Sequence, residues 1–489
     1  MKKKSVGLNA FLNGIRNVLN VIFPLITFPY VSRVLQVNGI GKYNFSQAIV
    51  SYFLLIAGLG ITPYAIREGA RYRNDKRKIE KFSSEVFSIN IVSTIISYVL
   101  LFICLIVFYN LRNYIFCILI FSIQIIFSTI GMEWLYVIYE DYAYITLRSI
   151  IFQIISIILL FIFVKNNNDY LNYAAITVFS SVGANLLNFI HAKNYCTVRL
   201  TLHINWKEHL KPIFLIFASL VTATIYINSD VTLLGIMKND HTVGLYSVSS
   251  KIYSIMKTLL TSVYVVAVPR LSMYLGRKKM LAYEKLLSNV TNSLIILIFP
   301  AMTGLFMLSK DIIIILSGET YINGSTSLQI LCCALVFAML AGDLYECVLI
   351  PARREKYILI ATIVSSILNL LLNLILIPFW GQNAAAFSTV IAEGVVCVID
   401  GYFAKDFILD IIKSHKFKIN IYQSVIGCLG IVGSCYLCNN FFKALFLRIF
   451  FSVVFSLCFY AVILLFLRNE VALKMFQSLR KILTNKFNL

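Results

Sequence analysis

The chain has 489 residues, of which 59% are apolar and only 13% are Asp, Glu, Lys or Arg. Soluble domains run near ~25% charged residues, and a protein of this size in water would need far more polar surface, so lipid is the solvent for most of this sequence. The formal net charge of +21 would point to nucleic acid in a soluble protein; in a membrane chain it is the excess of Lys and Arg on cytoplasmic loops, and no nucleic-acid partner is expected.

The apolar residues come in blocks of about 20, enough to cross a hydrocarbon core at ~1.5 Å per residue. In lipid the backbone must satisfy its own hydrogen bonds, which leaves helix bundles or closed barrels. A barrel needs short alternating segments, and continuous runs such as Val92–Phe108 and Ile150–Val164 exclude it. The expectation is an all-α integral membrane protein of about fourteen transmembrane helices. In chain order they fall near Ala10–Ser32, Tyr43–Ile66, Ser84–Phe108, Asn113–Tyr136, Ala143–Val164, Leu171–Ile190 and Pro212–Met237. The second half follows with Val243–Pro269, Leu286–Leu308, Ser325–Leu349, Tyr357–Ile377, Ala384–Ala404, Ile419–Leu437 and Ala444–Leu467. The opening Met1-Lys2-Lys3-Lys4 resembles a signal-peptide n-region, but no short apolar segment with a small-residue cleavage site follows, so it is read as uncleaved and cytoplasmic.

Loop charges support this order. With the N-terminus inside and the spans alternating, most Lys and Arg fall inside. The inside groups are the Arg67–Lys81 loop, Arg277-Lys278-Lys279, Arg353-Arg354 with Lys356, the set Lys413, Lys416 and Lys418, and the tail residues Lys474, Arg480, Lys481 and Lys486. Both termini are therefore expected on the cytoplasmic side. One inside loop, Val137–Tyr142, departs from the pattern: it holds Glu140 and Asp141 and no basic residue.

A faint repeat appears when the chain is slid by about 203 residues. Gly41 falls on Gly244, Tyr43 on Tyr246, Ser46 on Ser249, Ser51 on Ser254 and Arg67 on Arg270. A six-helix repeat keeps its orientation, which implies two pseudo-symmetric lobes about an axis along the membrane normal. Residues 1–200 and 201–410 are expected to form the lobes, and 411–489 two further helices and a basic tail.

Several spans carry polar faces. In the first, Asn13, Arg16, Asn17 and Asn20 share one face, with Pro24 and Pro29 behind them suggesting a bend. The second offers Asn44, Gln47 and Ser51. The seventh offers Ser219, Thr222, Tyr226, Ser229 and Asp230, and the eighth Ser247, Ser250, Lys251, Ser254, Lys257, Thr258 and Thr261. The repeat pairs these four helices, so their faces are expected to enclose one wet central cavity. Neutral stripes also glue helices together, as in the third span (Asn90, Ser93, Thr94, Ser97) and the eleventh (Thr362, Ser365, Ser366, Asn369, Asn373). An ionisable residue in a span is costly and marks function by default. Arg16, Lys251 and Lys257 therefore lead the candidates for substrate binding, with Asn13, Asn17, Asn20, Asn44, Gln47, Arg148 and Asp230 beside them. Asp230 is also a candidate to neutralise Lys251 or Lys257. Arg148, near the inner end of the fifth span, reads as a cavity-edge residue or as one that snorkels to the interface. A cationic cavity suits an anionic ligand: Arg grips phosphate through a bidentate fork, Lys acts as a point charge, and Asn, Ser, Thr and Tyr suit sugar hydroxyls.

Asp343 and Glu346 on the tenth span, and Glu393 and Asp400 on the twelfth, are a candidate site for a coupling H+ or Na+; the alternative is a salt bridge to an inner-face Arg. Gly39-Ile40-Gly41-Lys42-Tyr43 is not a P-loop, since it lacks the first Gly and the terminal Ser or Thr. No cofactor, metal site or catalytic set is expected. Cys435 and Cys438 form a C-x-x-C inside a span with no second pair, and the eleven cysteines read as small hydrophobes. The five His residues lie in loops or at span ends and read as solvated or interfacial.

The run Pro24-Leu25-Ile26-Thr27-Phe28-Pro29-Tyr30-Val31-Ser32-Arg33-Val34-Leu35, with Gly39-Ile40-Gly41-Lys42-Tyr43, Gly58-Leu59-Gly60-Ile61 and Ala65-Ile66-Arg67-Glu68, resembles the opening of Wzx-type polysaccharide repeat-unit flippases. Gly381 to Phe387 is a lesser echo. These flippases form the polysaccharide-transport branch of the multidrug/oligosaccharidyl-lipid/polysaccharide exporter superfamily. The resemblance implies a transporter in a bacterial cytoplasmic membrane that moves undecaprenyl-diphosphate-linked oligosaccharide by alternating access, for O-antigen, capsule or another surface glycan. Its expected partners are the polyprenyl-linked glycan, membrane lipids, and a polysaccharide polymerase and other assembly proteins. Arg16, Arg148, Lys251 and Lys257 fit the family's cavity cations. The rivals are a lipid II or teichoic-acid precursor flippase, a multidrug exporter of the same fold, and a membrane-embedded glycan polymerase or ligase. The enzyme would call for a sizeable outside loop, and the largest here, Ser309–Gly324, is short.

Overall fold

A computed structural model describes residues 6–474, 476 and 477, without the side chains of residues 6–13 and 15–22. Thirteen helices among the described residues are long and apolar enough to cross a membrane. The first, α1 (Val6–Gly58), runs for 53 residues; at ~1.5 Å per residue that is more than two crossings of a ~30 Å core. The backbone at Gln36 (φ 54°, ψ −177°) leaves the helical region and divides α1 in two, at the place where the first two expected spans are to separate. Pro24 and Pro29 both lie inside the first part of α1, where each removes one backbone hydrogen bond of the helix.

The remaining helices are α2 (Ile61–Tyr72), α3 (Lys76–Val107), α4 (Ile115–Ile130), α5 (Glu133–Ile138), α6 (Tyr142–Phe163), α7 (Tyr170–Ala192), α8 (Trp206–Met237), α9 (Asp240–Val265) and α10 (Val268–Gly276). They continue as α11 (Met280–Met307), α12 (Ser309–Ser317), α13 (Ser325–Asp343), α14 (Glu355–Trp380), α15 (Gln382–Phe403), α16 (Lys405–Lys413), α17 (His415–Phe441) and α18 (Leu445–Phe466). The short helices correct three expected spans. The second stops at Gly58, where Leu59 and Gly60 both take positive φ and start α2. The fourth is cut at Met132 (φ 40°), and the eighth ends at Val265 before α10.

Contacts divide the chain into two compact units, Met1–Ser247 and Val248–Leu489. In the first unit the third-span stripe is glue. The Asn90 amide and Ser93 hydroxyl donate to the Ala57 carbonyl at 2.7 and 2.6 Å, and Ser97 donates to the Phe53 carbonyl at 2.6 Å. The Ala57 carbonyl is one of those left open where α1 ends at Gly58. The acidic Glu140 loop has its explanation here too: the Arg73 guanidinium donates to Glu140 Oε1 at 2.7 Å. The loop therefore lies on the same face as the basic Arg67–Lys81 segment and is neutralised by it.

In the second unit α14 and α15 are joined by the eleventh-span stripe. Ser388 donates to Asn373 Oδ1 (2.6 Å), Asn373 to Asn369 Oδ1 (3.1 Å) and Ser365 to the Ala392 carbonyl (2.8 Å). Each such bond contributes about 0.6 kcal/mol on average in a membrane. The last two spans dock on α11. Asn420 donates to Asn292 Oδ1 (2.6 Å), Asn469 to Asn420 Oδ1 (2.8 Å), and the Tyr460 hydroxyl to the Ile296 carbonyl (2.7 Å). All eleven cysteines are free; Cys435 and Cys438 are buried side chains of α17.

Candidate substrate and ion sites

In the first unit, the stripe Asn13, Arg16, Asn17 and Asn20 lies outside the described side chains. Further along α1, the Asn44 amide donates to its own helix at Ile40 (3.0 Å), while Gln47 is exposed. Tyr52 shares a 3.1 Å hydrogen bond with Thr232, tying α1 to α8. Asp230 is buried and accepts a hydrogen bond from the Tyr246 hydroxyl at the start of α9. Arg148 does not reach the interface. It is 5% exposed and donates to the Ala184 carbonyl at 2.7 Å, with its guanidinium 6.0 Å from the Tyr144 ring. The arginine ties α6 to α7.

The two glycines superposed by the 203-residue offset make reciprocal contacts. A Cβ on Gly41 would lie 1.9 Å from the Asp240 carbonyl oxygen, and one on Gly244 would lie 2.1 Å from the Val37 carbonyl oxygen. Each glycine touches the residue one helical turn before the other, as two symmetry-related helices do where they cross. The Tyr114 hydroxyl donates to Asp240 Oδ1 at 2.5 Å and supports the same crossing.

One polar cluster in this unit escaped the sequence reading. His209, at the start of α8, is buried rather than interfacial. Its Nε2 lies 2.9 Å from Glu85 Oε2 and its Nδ1 2.7 Å from the Tyr64 hydroxyl. The segment before it runs along α3, with backbone N–H groups of Thr197, Arg199 and Thr201 bonded to Glu80, Ser84 and Ser88. The acceptors recur every fourth residue, one per helical turn. No motif announced this; only the Ser84/Ser88 spacing was visible in the sequence.

In the second unit, Lys257 is held by an acid of its own unit. Its Nζ lies 2.8 Å from Oε1 of Glu393 on α15, and the Tyr253 hydroxyl donates to the same oxygen at 3.4 Å. Glu393 is thus paired with a lysine, not with an inner-face arginine; Arg354 pairs with Asp406. Lys251 is half-buried and forms no ion pair among the described residues. Asp343 ends α13 and accepts from the Thr291 hydroxyl at 2.6 Å; its other oxygen has no hydrogen bond among the described residues. Glu346 lies in the π-helical turn 344–349 that follows, a distortion frequent at functional sites. Asp400 is 1% exposed, and neither of its oxygens is hydrogen-bonded among the described residues. A Cβ on Gly342 would meet the Tyr264 hydroxyl at 2.4 Å, so α9 reaches α13 beside Asp343. No three acids, cysteines or histidines among the described residues are placed to hold a metal ion. A buried carboxylate without a cation is costly when charged, so this arrangement suits uptake of a proton or a small monovalent cation.

Comparison with known proteins agrees with this architecture. A solved lipid II flippase, MurJ, in an inward closed conformation superposes with a TM-score of 0.72 at 17% identity, over 94% of this chain and 99% of that one. An inward-facing multidrug resistance transporter of the MATE family, in the MOP superfamily, gives 0.61 at 15% identity, over 80% of this chain and 95% of that one. The fold is therefore that of the MOP transporters: all-helical and multi-pass. An Escherichia coli (strain K12) protein named "Putative O-antigen transporter" is 26% identical over 389 residues, 77% of this chain and 91% of the relative. The family model described as polysaccharide biosynthesis protein matches residues 6–275. That is more than half of the sequence, and the chain belongs to the polysaccharide biosynthesis protein family.

Proposed function

We propose that this protein is a flippase that moves polyprenyl-diphosphate-linked oligosaccharide repeat units across a bacterial cytoplasmic membrane by alternating access. The observation that carries the reading is the union of a MOP transporter fold with similarity, over 77% of the chain, to an O-antigen transporter. A transporter rather than an enzyme also suits the placement of polar groups, which lie within spans and short loops. The loop charges support a topology with both termini in the cytoplasm. Arg16, Lys251 and the polar faces of α1, α8 and α9 are assigned to the diphosphate and sugars of the headgroup. Asp343, Glu346 and Asp400 are assigned to a coupling H+ or Na+, and Glu393 is held by Lys257. The lipid II flippase and multidrug exporter readings share only the fold at 15–17% identity. Deleting the gene in its host tests the proposal: glycan-loaded polyprenyl diphosphate should accumulate on the cytoplasmic leaflet and surface glycan should fall. Normal surface glycan in a strain with no second transporter would overturn it.

A further inference from the structure

One cavity lies apart from the faces described above. It is a notch of about 180 Å³ in the first unit, where the break in α1 meets the loop between α6 and α7. Gln36, Asn38, Lys42, Asn167, Asn168 and Tyr170 line it. We propose that this notch binds one sugar ring of the glycan on the non-cytoplasmic side of the membrane. The identity of the ligand rests on the flippase reading; the site itself rests on the geometry.

Four observations converge. Gln36, Asn38, Asn167 and Asn168 bring four exposed side-chain amides to one small notch, and none of the four is spent on a hydrogen bond to another described residue. Each amide offers an acceptor oxygen and two N–H donors, the complement of sugar hydroxyls, which both donate and accept. The cavity holds the bulk of about six waters at ~30 Å³ each, below the ~300 Å³ of a drug-sized site. A single pyranose is an occupant of that size.

The frame is fixed in advance. Asp169 Oδ2 accepts from the backbone N–H groups of Lys165 and Asn166 at 2.9 and 2.8 Å, and the Tyr30 hydroxyl donates to the Val164 carbonyl at 2.7 Å. A Cβ on Gly39 would lie 3.0 Å from the Asn167 carbonyl oxygen, so loop and helix approach as closely as a glycine allows. Gln36 itself holds φ 54° with ψ −177°, a conformation natural to glycine and strained for glutamine. A strained position that carries an amide into a polar cavity, where glycine would relax the backbone, points to use of that amide. Lys42 stands 5.4 Å over the Tyr170 ring and puts one cation at the rim, so a uronic acid is accepted as well as a neutral hexose.

The location suits arrival of the headgroup. The notch lies at the opposite ends of the spans from the basic Arg67–Lys81 segment and its partner Glu140, and by the loop charges it faces outward.

The test uses the full chain in detergent micelles, with saturation-transfer NMR against methyl glycosides of hexoses, N-acetylhexosamines and uronic acids. Wild type should give a signal with at least one glycoside. That signal should fall by about three- to tenfold in Gln36→Gly and in Asn167→Ala/Asn168→Ala, the loss of one or two polar contacts. Gln36→Gly should keep or raise the unfolding temperature, since it relieves strain. No glycoside signal with wild type, or equal signals in wild type and variants, overturns the notch. Vesicle flipping of a polyprenyl-diphosphate glycan, run in parallel, separates the two ideas. A wild type that fails to flip defeats the proposed function and leaves the glycoside signals to judge the notch. A wild type that flips, with glycoside signals unchanged by the variants, defeats the notch alone.

Discussion

Lys257 and Glu393 show how a charge is kept in a span. Glu393 is 5% exposed, and Lys257 satisfies it at 2.8 Å while itself staying about one-third exposed. Removing one partner leaves the other uncompensated, and pairs in contact couple by about 0.5–3 kcal/mol. Lys257→Met and Glu393→Gln should each destabilise the fold, and the double variant should cost less than the sum of the two. Thermal unfolding in detergent measures this, and strict additivity would refute the pairing. Asp400 calls for the opposite outcome. Its carboxylate has no bonded partner among the described residues, so Asp400→Asn should leave stability unchanged or higher while weakening the pH dependence of transport. At the surface, Asp75 caps α3 by accepting from the Arg77 and Lys78 N–H groups. The Lys78 N–H holds the Asp75 carboxyl below its ordinary value. Because the folded value is depressed, the cap's contribution is full above the unfolded pKa of ~3.9 and is lost as pH falls through the folded one; Asp75→Asn should flatten that part of an acid-unfolding profile. Lys257 was legible from its sequence as a costly charge in a span. Its partner was not, because Glu393 lies 136 residues away and one sequence does not say which distant helices touch. His209 was missed for a related reason: a lone histidine near a span end looks interfacial until Glu85 and Tyr64 close around it.

Helices were legible where periodicity and glycine speak, and illegible where strain decides. Hydropathy located the spans, and the faint repeat paired Gly41 with Gly244 before their reciprocal contact was seen. Gly60, Gly318 and Gly381 take positive φ, and such breaks are readable because glycine favours them. The breaks at Gln36, Leu59 and Met132 are not readable, since nothing in those side chains announces a left-handed backbone. The glycine crossing has a consequence for substitution. Gly41→Val would drive a Cβ to 1.9 Å from the Asp240 carbonyl oxygen, and backbone must separate to admit it. Gly41→Val and Gly244→Val should each lower the unfolding temperature or abolish folded yield, whereas Gly14→Val, with nothing within 4 Å of its Cβ, should not. The polar stripes divide by what they touch. Those of α3 and α14 bond neighbouring helices, while exposed Gln47 in α1 remains available to a ligand.

For the whole molecule, composition and loop charge carried the fold class, because lipid admits so few solutions for a backbone. The positive-inside count had one weak point at Glu140 and Asp141. The Arg73–Glu140 pair removes it by placing acid and base on one face. The substrate was less legible. Charges in spans indicate an anionic ligand, and the step to a lipid-linked glycan depends on the motif run Pro24–Leu35 and on family membership. The most direct measurement of that step is flipping in vesicles. The purified chain, reconstituted with fluorescent polyprenyl-diphosphate oligosaccharide, should speed its transfer between leaflets. Substituting both Lys251 and Arg16 with Glu should abolish the effect without loss of folded protein. No acceleration over protein-free vesicles under either a proton or a sodium gradient, from a wild-type preparation that remains folded, would contradict the account.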